Sequence, residues 1–191
     1  PHYLRGLKGG RINHKPKFIF NKTSISTGKL DGDHSFGHAA GVEGMNKAIE
    51  MAADAGSGHV AVYNSSHFGA AAFFALIAAK RDMIGMCFTN ATPHVLTSGG
   101  KRAFFGNNPI CFVAPCEGEE PFCLDMATSA ITFNRVLQHK ESNAPIPADS
   151  VADANGNPTT DPDSAKYLLP IGDYKGYGLS MMVDVLCSLL S

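Results

Sequence analysis

The spacing of apolar positions changes several times along this chain, and each change marks an element. From His38 to Ala55, Val42, Met45, Ile49 and Ala52 recur at intervals of three and four, which predicts a helix with one buried face that must end at Gly56 and Gly58. His59 to Tyr63 is an apolar run of strand length. Gly69 to Asp82 (GAAAFFALIAAKRD) predicts a second helix, apolar over most of its surface and so buried on more than one side. Met83 to Thr89, Pro109 to Ala114 and Pro121 to Met126 are bounded by Gly, Pro or Asn and read as buried strands. A third helix is predicted from about Ala127 to Lys140. The Pro/Asp/Asn-rich stretch 142–165 follows, with a tight turn at Asn155-Gly156, and is the best candidate for a boundary. A last helix begins near Gly176 and runs toward Ser191. Helices and strands interleave, so the class is α/β or α+β with a mixed sheet.

Composition narrows the function classes. Of 191 residues, 44% are apolar and 17% charged, the balance of an ordinary core-forming protein, and the formal net charge is −1. Basic residues are scattered, leaving no footprint for nucleic acid or an acidic membrane, so the expected partner is a small molecule or another protein. The five cysteines are odd in number, lie mostly in apolar runs and show neither a CxxC pair nor a Cys/His ligand spacing. They read as reduced core residues, no metal site is expected, and the cytoplasm is the expected location. The apolar C-terminal run is short for a membrane span and is interrupted by Asp184. Both ends look cut, so the chain reads as a fragment.

Candidate chemistry gathers at loops. Asn64-Ser65-Ser66-His67-Phe68-Gly69 lies where the strand 59–63 gives way to a helix, the place where α/β proteins meet small molecules and where helix N–H groups favour an anion. The plainer reading of His67 is a histidine bonded to backbone at a turn. Gly56-Ser57-Gly58-His59-Val60-Ala61 matches G-x-G-x-x-A, but it follows a helix and precedes a strand, the reverse of a dinucleotide fingerprint, and so reads as a helix cap. Gly172 to Gly178 is a glycine-rich helix entry containing Lys175, suited to an anion. Thr89-Asn90-Ala91-Thr92-Pro93, Gly106-Asn107-Asn108-Pro109 and Asp125-Met126-Ala127-Thr128 resemble ligand-facing loops. Asp125 reads either as a helix N-cap or as an acceptor for ribose hydroxyls. His34 and His38 are read as loop and surface residues.

NSSHFG, TNATP, GGKRAFFGNNP, CLDMATS and YKGYGLSMMVDVL, in this order, resemble the malate/L-lactate dehydrogenase family that lacks a Rossmann fold. The resemblance starts at Tyr3-x6-Gly10-x2-Asn13, downstream of a Ser-His-Gly motif of full-length members, and ends before their C-terminal portion. It therefore implies an internal fragment, in which His2 does not stand for the motif's histidine. The fold implied is a non-Rossmann mixed α/β one. Residues 1–80 would belong to a substrate and dimerisation domain, 81–168 to an NAD(P)-binding domain, and 169–191 to a helix returning to the first.

By the same resemblance His67 matches the active-site proton acceptor. Thr89, Asp125, Met126, Ala127 and Lys175 match positions that contact NAD or NADP. The implied activity is hydride exchange between a nicotinamide and a small 2-hydroxy acid of the malate or lactate kind, in a homodimer; an imidazole titrating near neutrality suits the hydroxyl proton. Alternatives on the same scaffold are a ureidoglycolate dehydrogenase and a reductase of cyclic imines such as piperideine carboxylate. A non-catalytic binding or assembly protein is the alternative of another class.

Overall fold

A computed structural model of the chain describes residues 2–190, the side chain of His2 excepted. The chain forms two compact units, each discontinuous in sequence. One comprises the residues up to Cys87 together with 111–124 and Leu190; the other comprises 88–110 and 125–189.

In the first unit, helix α1 (His2–Lys8) precedes β1 (Ile19–Lys22) and β2 (Thr27–Asp31), which pair antiparallel. Helix α2 (Gly37–Ala55) then returns the chain so that β3 (His59–Tyr63) lies parallel to β2, with Leu30 opposite Val62. Gly56 ends α2 in the left-handed conformation, its N–H bonded to the Ala52 carbonyl, so the glycine pair is a helix cap. The helix expected over 38–55 is therefore present, but its buried face is a different one. Gly37, Ala40, Gly44 and Met51 are buried, whereas Val42, Met45, Ile49 and Ala52 are half-buried. A Cβ on Gly44 would lie 2.7 Å from Val62 Cγ2, so small side chains let α2 settle onto β3. An apolar count cannot see a contact face built from glycine and alanine.

Helix α3 (Ala71–Ala79) is shorter than its apolar run, and it is buried along one face, Ala71, Phe74, Ala75, Ala78 and Ala79, rather than on more than one side, with Phe73 exposed. Ala71, Ala75 and Ala79 pack with Cys111 and Val113 of β7 (Ile110–Ala114), and Phe74 stacks on Phe68 with ring centroids 4.9 Å apart. Strand β7 lies between β4 (Gly85–Phe88) and β8 (Phe122–Met126).

The second unit holds a sheet of short strands: β5 (Val95–Leu96), β6 (Ala103–Phe105), β9 (Val151–Ala152), β10 (Pro158–Thr159) and β11 (Tyr167–Leu168), in the order β10-β9-β11-β5-β6. Val95, Val151 and Leu168 pack with Ile146 and with Val136 of helix α4 (Phe133–Glu141). The stretch 142–165 is no boundary: it lies inside this unit and supplies β9 and β10. Asn155-Gly156 does form the turn between them, with Asp153 Oδ1 accepting the N–H groups of Asn155 and Asn157.

Two expectations are corrected here. The third helix begins at Phe133 rather than Ala127, because Thr132 caps it by accepting the Arg135 N–H, while Thr128 to Ala130 pair with 169–171 instead. Asp125 is therefore not a helix N-cap. The last helix, α5, runs Tyr174–Asp184 and continues as a π-turn over Val185–Leu189. Ser191, to which that helix was expected to run, lies outside the described residues. None of the helices among the described residues is long and apolar enough to cross a membrane.

Candidate active site

The His67 loop begins where β3 ends. Asn64 takes a positive φ of 47°, which turns the chain out of the strand, and its side-chain amide donates to Asp31 Oδ1 at 3.2 Å. Its carbonyl accepts the His34 N–H at 2.7 Å. Ser66 completes the fastening. Its hydroxyl donates to the Ser35 carbonyl at 3.0 Å and accepts the Gly37 N–H at 3.1 Å, tying the loop to the start of α2. His67 itself is exposed. Its Nδ1 lies 2.7 Å from Tyr3 Oη and accepts the Gly69 N–H at 3.3 Å. The backbone bond expected of a turn histidine is thus present, together with a side-chain partner that sequence order could not suggest, since Tyr3 lies 64 positions away. His34 and His38 are both exposed; His34 is a loop residue, whereas His38 lies in the first turn of α2 with its ring centroid 5.3 Å from that of Tyr3.

The remaining predicted residues lie in the second unit, around a buried polar hub. Asn108, Thr128 and Ser180 have essentially no exposed surface. Asn108 Oδ1 accepts the Ala91 N–H at 3.0 Å and its Nδ2 donates to the Ser180 carbonyl at 2.9 Å; Thr128 Oγ1 and Ser180 Oγ are 2.6 Å apart. The Thr128 N–H donates to the Asn107 carbonyl at 2.9 Å. These bonds join the loop after β4, the loop 106–109, the end of β8 and α5 in one place. Buried groups so completely paired hold their loops in one arrangement.

Each predicted contact residue stands next to this hub or close to it in sequence. Met126 and Ala127 are half-buried and lead into Thr128, with Asp125 exposed just before them. Lys175 is exposed and precedes Gly176, whose added Cβ would lie 2.5 Å from both Thr128 O and Ile171 N, so only glycine lets the entry of α5 approach this closely. The same entry is held by the Ile171 N–H, bonded to the Thr128 carbonyl at 2.9 Å. Thr89 is half-buried, turns its hydroxyl to the Asn90 carbonyl at 3.0 Å, and precedes Asn90, which donates to Ser188 beyond the end of α5. The Thr89 hydroxyl, the Asp125 carboxylate and the Lys175 cation thus sit on segments that adjoin the hub, and among them they offer a hydroxyl, an acceptor and a positive charge.

Comparison with known proteins decides the family. The sequence model of the family described as malate/L-lactate dehydrogenase matches residues 1–191. The chain belongs to that family. Among its relatives, the malate/(S)-sulfolactate dehydrogenase of Methanothermus fervidus is 38% identical over 188 residues, 97% of this chain and 55% of that protein. The ureidoglycolate dehydrogenase (NAD(+)) of Escherichia coli O157:H7 is 36% identical over 189 residues, 99% of this chain and 54% of that protein. Among solved structures, the delta1-piperideine-2-carboxylate reductase of Pseudomonas syringae superposes with a TM-score of 0.94 at 31% identity, covering 98% of this chain and 57% of that one. The chain thus spans about half the length of the curated relatives it matches. Its fold is the mixed α/β fold of this dehydrogenase family.

Proposed function

We propose that the protein carrying this chain is an NAD(P)-dependent oxidoreductase that interconverts a small 2-hydroxy acid, malate- or lactate-like, and its 2-oxo acid. The observation that supports it most is the family match over residues 1–191, which takes in both the His67 loop and the segments fastened by the polar hub. In this reading Thr89, Asp125, Met126, Ala127 and Lys175 hold the cofactor. The Lys175 cation faces phosphate and the Asp125 carboxylate accepts from ribose hydroxyls. Bound NAD(P) supplies the hydride chemistry. His67 takes the hydroxyl proton when the alcohol is oxidised and returns one to the 2-oxo oxygen in reduction. Instead of the expected split at 80 and 168, the unit that holds the His67 loop then serves the substrate and dimer side and the unit that holds Thr89, Asp125, Met126, Ala127 and Lys175 the cofactor side, within a cytoplasmic homodimer.

The test is His67→Ala in the protein carrying this chain. Turnover should fall about a hundredfold or more, the scale of a general acid/base contribution, with cofactor binding retained. Unchanged turnover would sink the assignment. A second reading keeps the site and changes the substrate to ureidoglycolate or a cyclic imine. The names of the two relatives at 36% and 31% identity favour it, and a panel of such substrates separates it from the first.

A further inference from the structure

A second imidazole stands against the His67 loop. Gly37, the first residue of α2, sits so close to this loop that an added Cβ would collide with the Ser66 carbonyl and lie 2.8 Å from the His67 carbonyl carbon. His38 follows it in the chain and is thereby fixed beside His67. Its ring meets Tyr3 edge-on with centroids 5.3 Å apart, while the His67 ring lies against the same tyrosine at 6.0 Å. Gly69 joins the two histidines. Its N–H reaches His67 Nδ1 at 3.3 Å, and a Cβ built on it would lie 2.9 Å from His38 Nε2. Across the backbone of this one glycine the two ring nitrogens are no more than about 9 Å apart.

His38 is exposed, and among the described residues its ring touches Tyr3 but makes no side-chain hydrogen bond or ion pair. Packing on a tyrosine asks only for a flat ring. An imidazole in that place also brings polar nitrogens that remain available to a ligand, and near neutral pH it can bring a positive charge. We propose that His38 is a substrate-binding residue that takes the carboxylate of the 2-hydroxy or 2-oxo acid while His67 serves the oxygen on the adjoining carbon. The proposal rests on the reading of His67 as the proton-exchanging residue. In such an acid the hydroxyl or oxo oxygen and the nearer carboxylate oxygen lie about 3 Å apart; with a hydrogen bond of about 2.8 Å at each end, one molecule bridges two ring nitrogens up to about 9 Å apart. A protonated His38 makes its end of the bridge a charge-assisted bond, the stronger kind. Gly69 serves this arrangement twice: its φ of 83° favours glycine, and any side chain there would press on the His38 ring.

The experiment is a titration of oxamate, an unreactive isostere of a 2-oxo acid, into the NADH-saturated protein carrying this chain, read by nicotinamide fluorescence. His38→Phe keeps a flat ring against Tyr3 but has neither donor nor charge, and His38→Gln keeps an N–H donor. Wild type should bind oxamate saturably, His38→Phe at least about tenfold more weakly and His38→Gln between the two, with NADH affinity within about twofold in all three. Equal oxamate affinity in wild type and His38→Phe would overturn the proposal, as would a wild type that binds NADH but no oxamate. A parallel loss of NADH affinity in both variants would overturn it too, since His38 would then support the fold rather than the ligand. If His67→Ala kept full turnover while His38→Phe still lost oxamate, the carboxylate site would stand and the acid/base reading would fall.

Discussion

Replacing Asn108 by Ala tests whether the buried hub holds the second unit together. Asn108 is fully buried and bridges two elements, accepting from the Ala91 N–H and donating to the Ser180 carbonyl. Truncation removes both bonds, at about 1 kcal/mol each, and leaves the Ala91 N–H and the side-chain-facing lone pair of Ser180 O without those partners. Loss of the buried amide also opens a small cavity, so the expected destabilisation is about 2–4 kcal/mol. Asn108→Asp should be no better. It keeps the acceptor for Ala91 but turns an oxygen toward the Ser180 carbonyl and buries a charge. Urea unfolding followed by far-UV circular dichroism measures the loss. Cofactor titration of the same variants should show weakened binding, because the 89–91 loop is no longer tied to α5. A destabilisation of Asn108→Ala below about 0.5 kcal/mol would refute the reasoning, placing the amide in a site that water satisfies equally well.

Two further predictions concern the second unit alone. Thr132→Ala removes the N-cap of α4 and should cost about 1 kcal/mol, whereas Asp125→Ala should leave the amide exchange of α4 unchanged; the reverse order would restore the longer helix. Backbone N–H bonds, that of Asn157 foremost, hold the Asp153 carboxyl below the ordinary aspartate range. The stability it lends is therefore present above the unfolded aspartate pKa and lost as pH falls through the lower folded value. Amides at 155–157 should lose protection in that acidic window in wild type, and Asp153→Ala should show no such pH dependence.

What the sequence made legible follows from how much each signal is local. Strand β3, the Gly56 cap, β7, β8 and the Asn155-Gly156 turn are local patterns, and each appears in the structure, although β8, read as a buried strand, is exposed from Phe122 to Asp125. The hairpin of β1 and β2 escaped because β1 has no buried residue to set a period, Ile19 being more than half exposed. Strands β5, β9, β10 and β11 have two residues each, too few for any alternation to register. Ala127 to Ile131 read as helix because their composition allows it, while the pairing with 169–171 that overrides this lies forty residues downstream. The site divides in the same way. His67 stood out from its place at a strand end, and Gly106 to Pro109 from its turn residues. Tyr3 and Ser180 entered only as members of the motifs that carry the resemblance, with no role of their own, since each is bonded to partners far along the chain.

The measurement that bears most directly on the central claim is a fluorescence titration of NADH and NADPH into the protein carrying this chain, beside His67→Ala. The account predicts saturable binding of at least one cofactor, equal in the two proteins, with turnover of a 2-oxo acid confined to wild type. Absence of binding by both cofactors would contradict it.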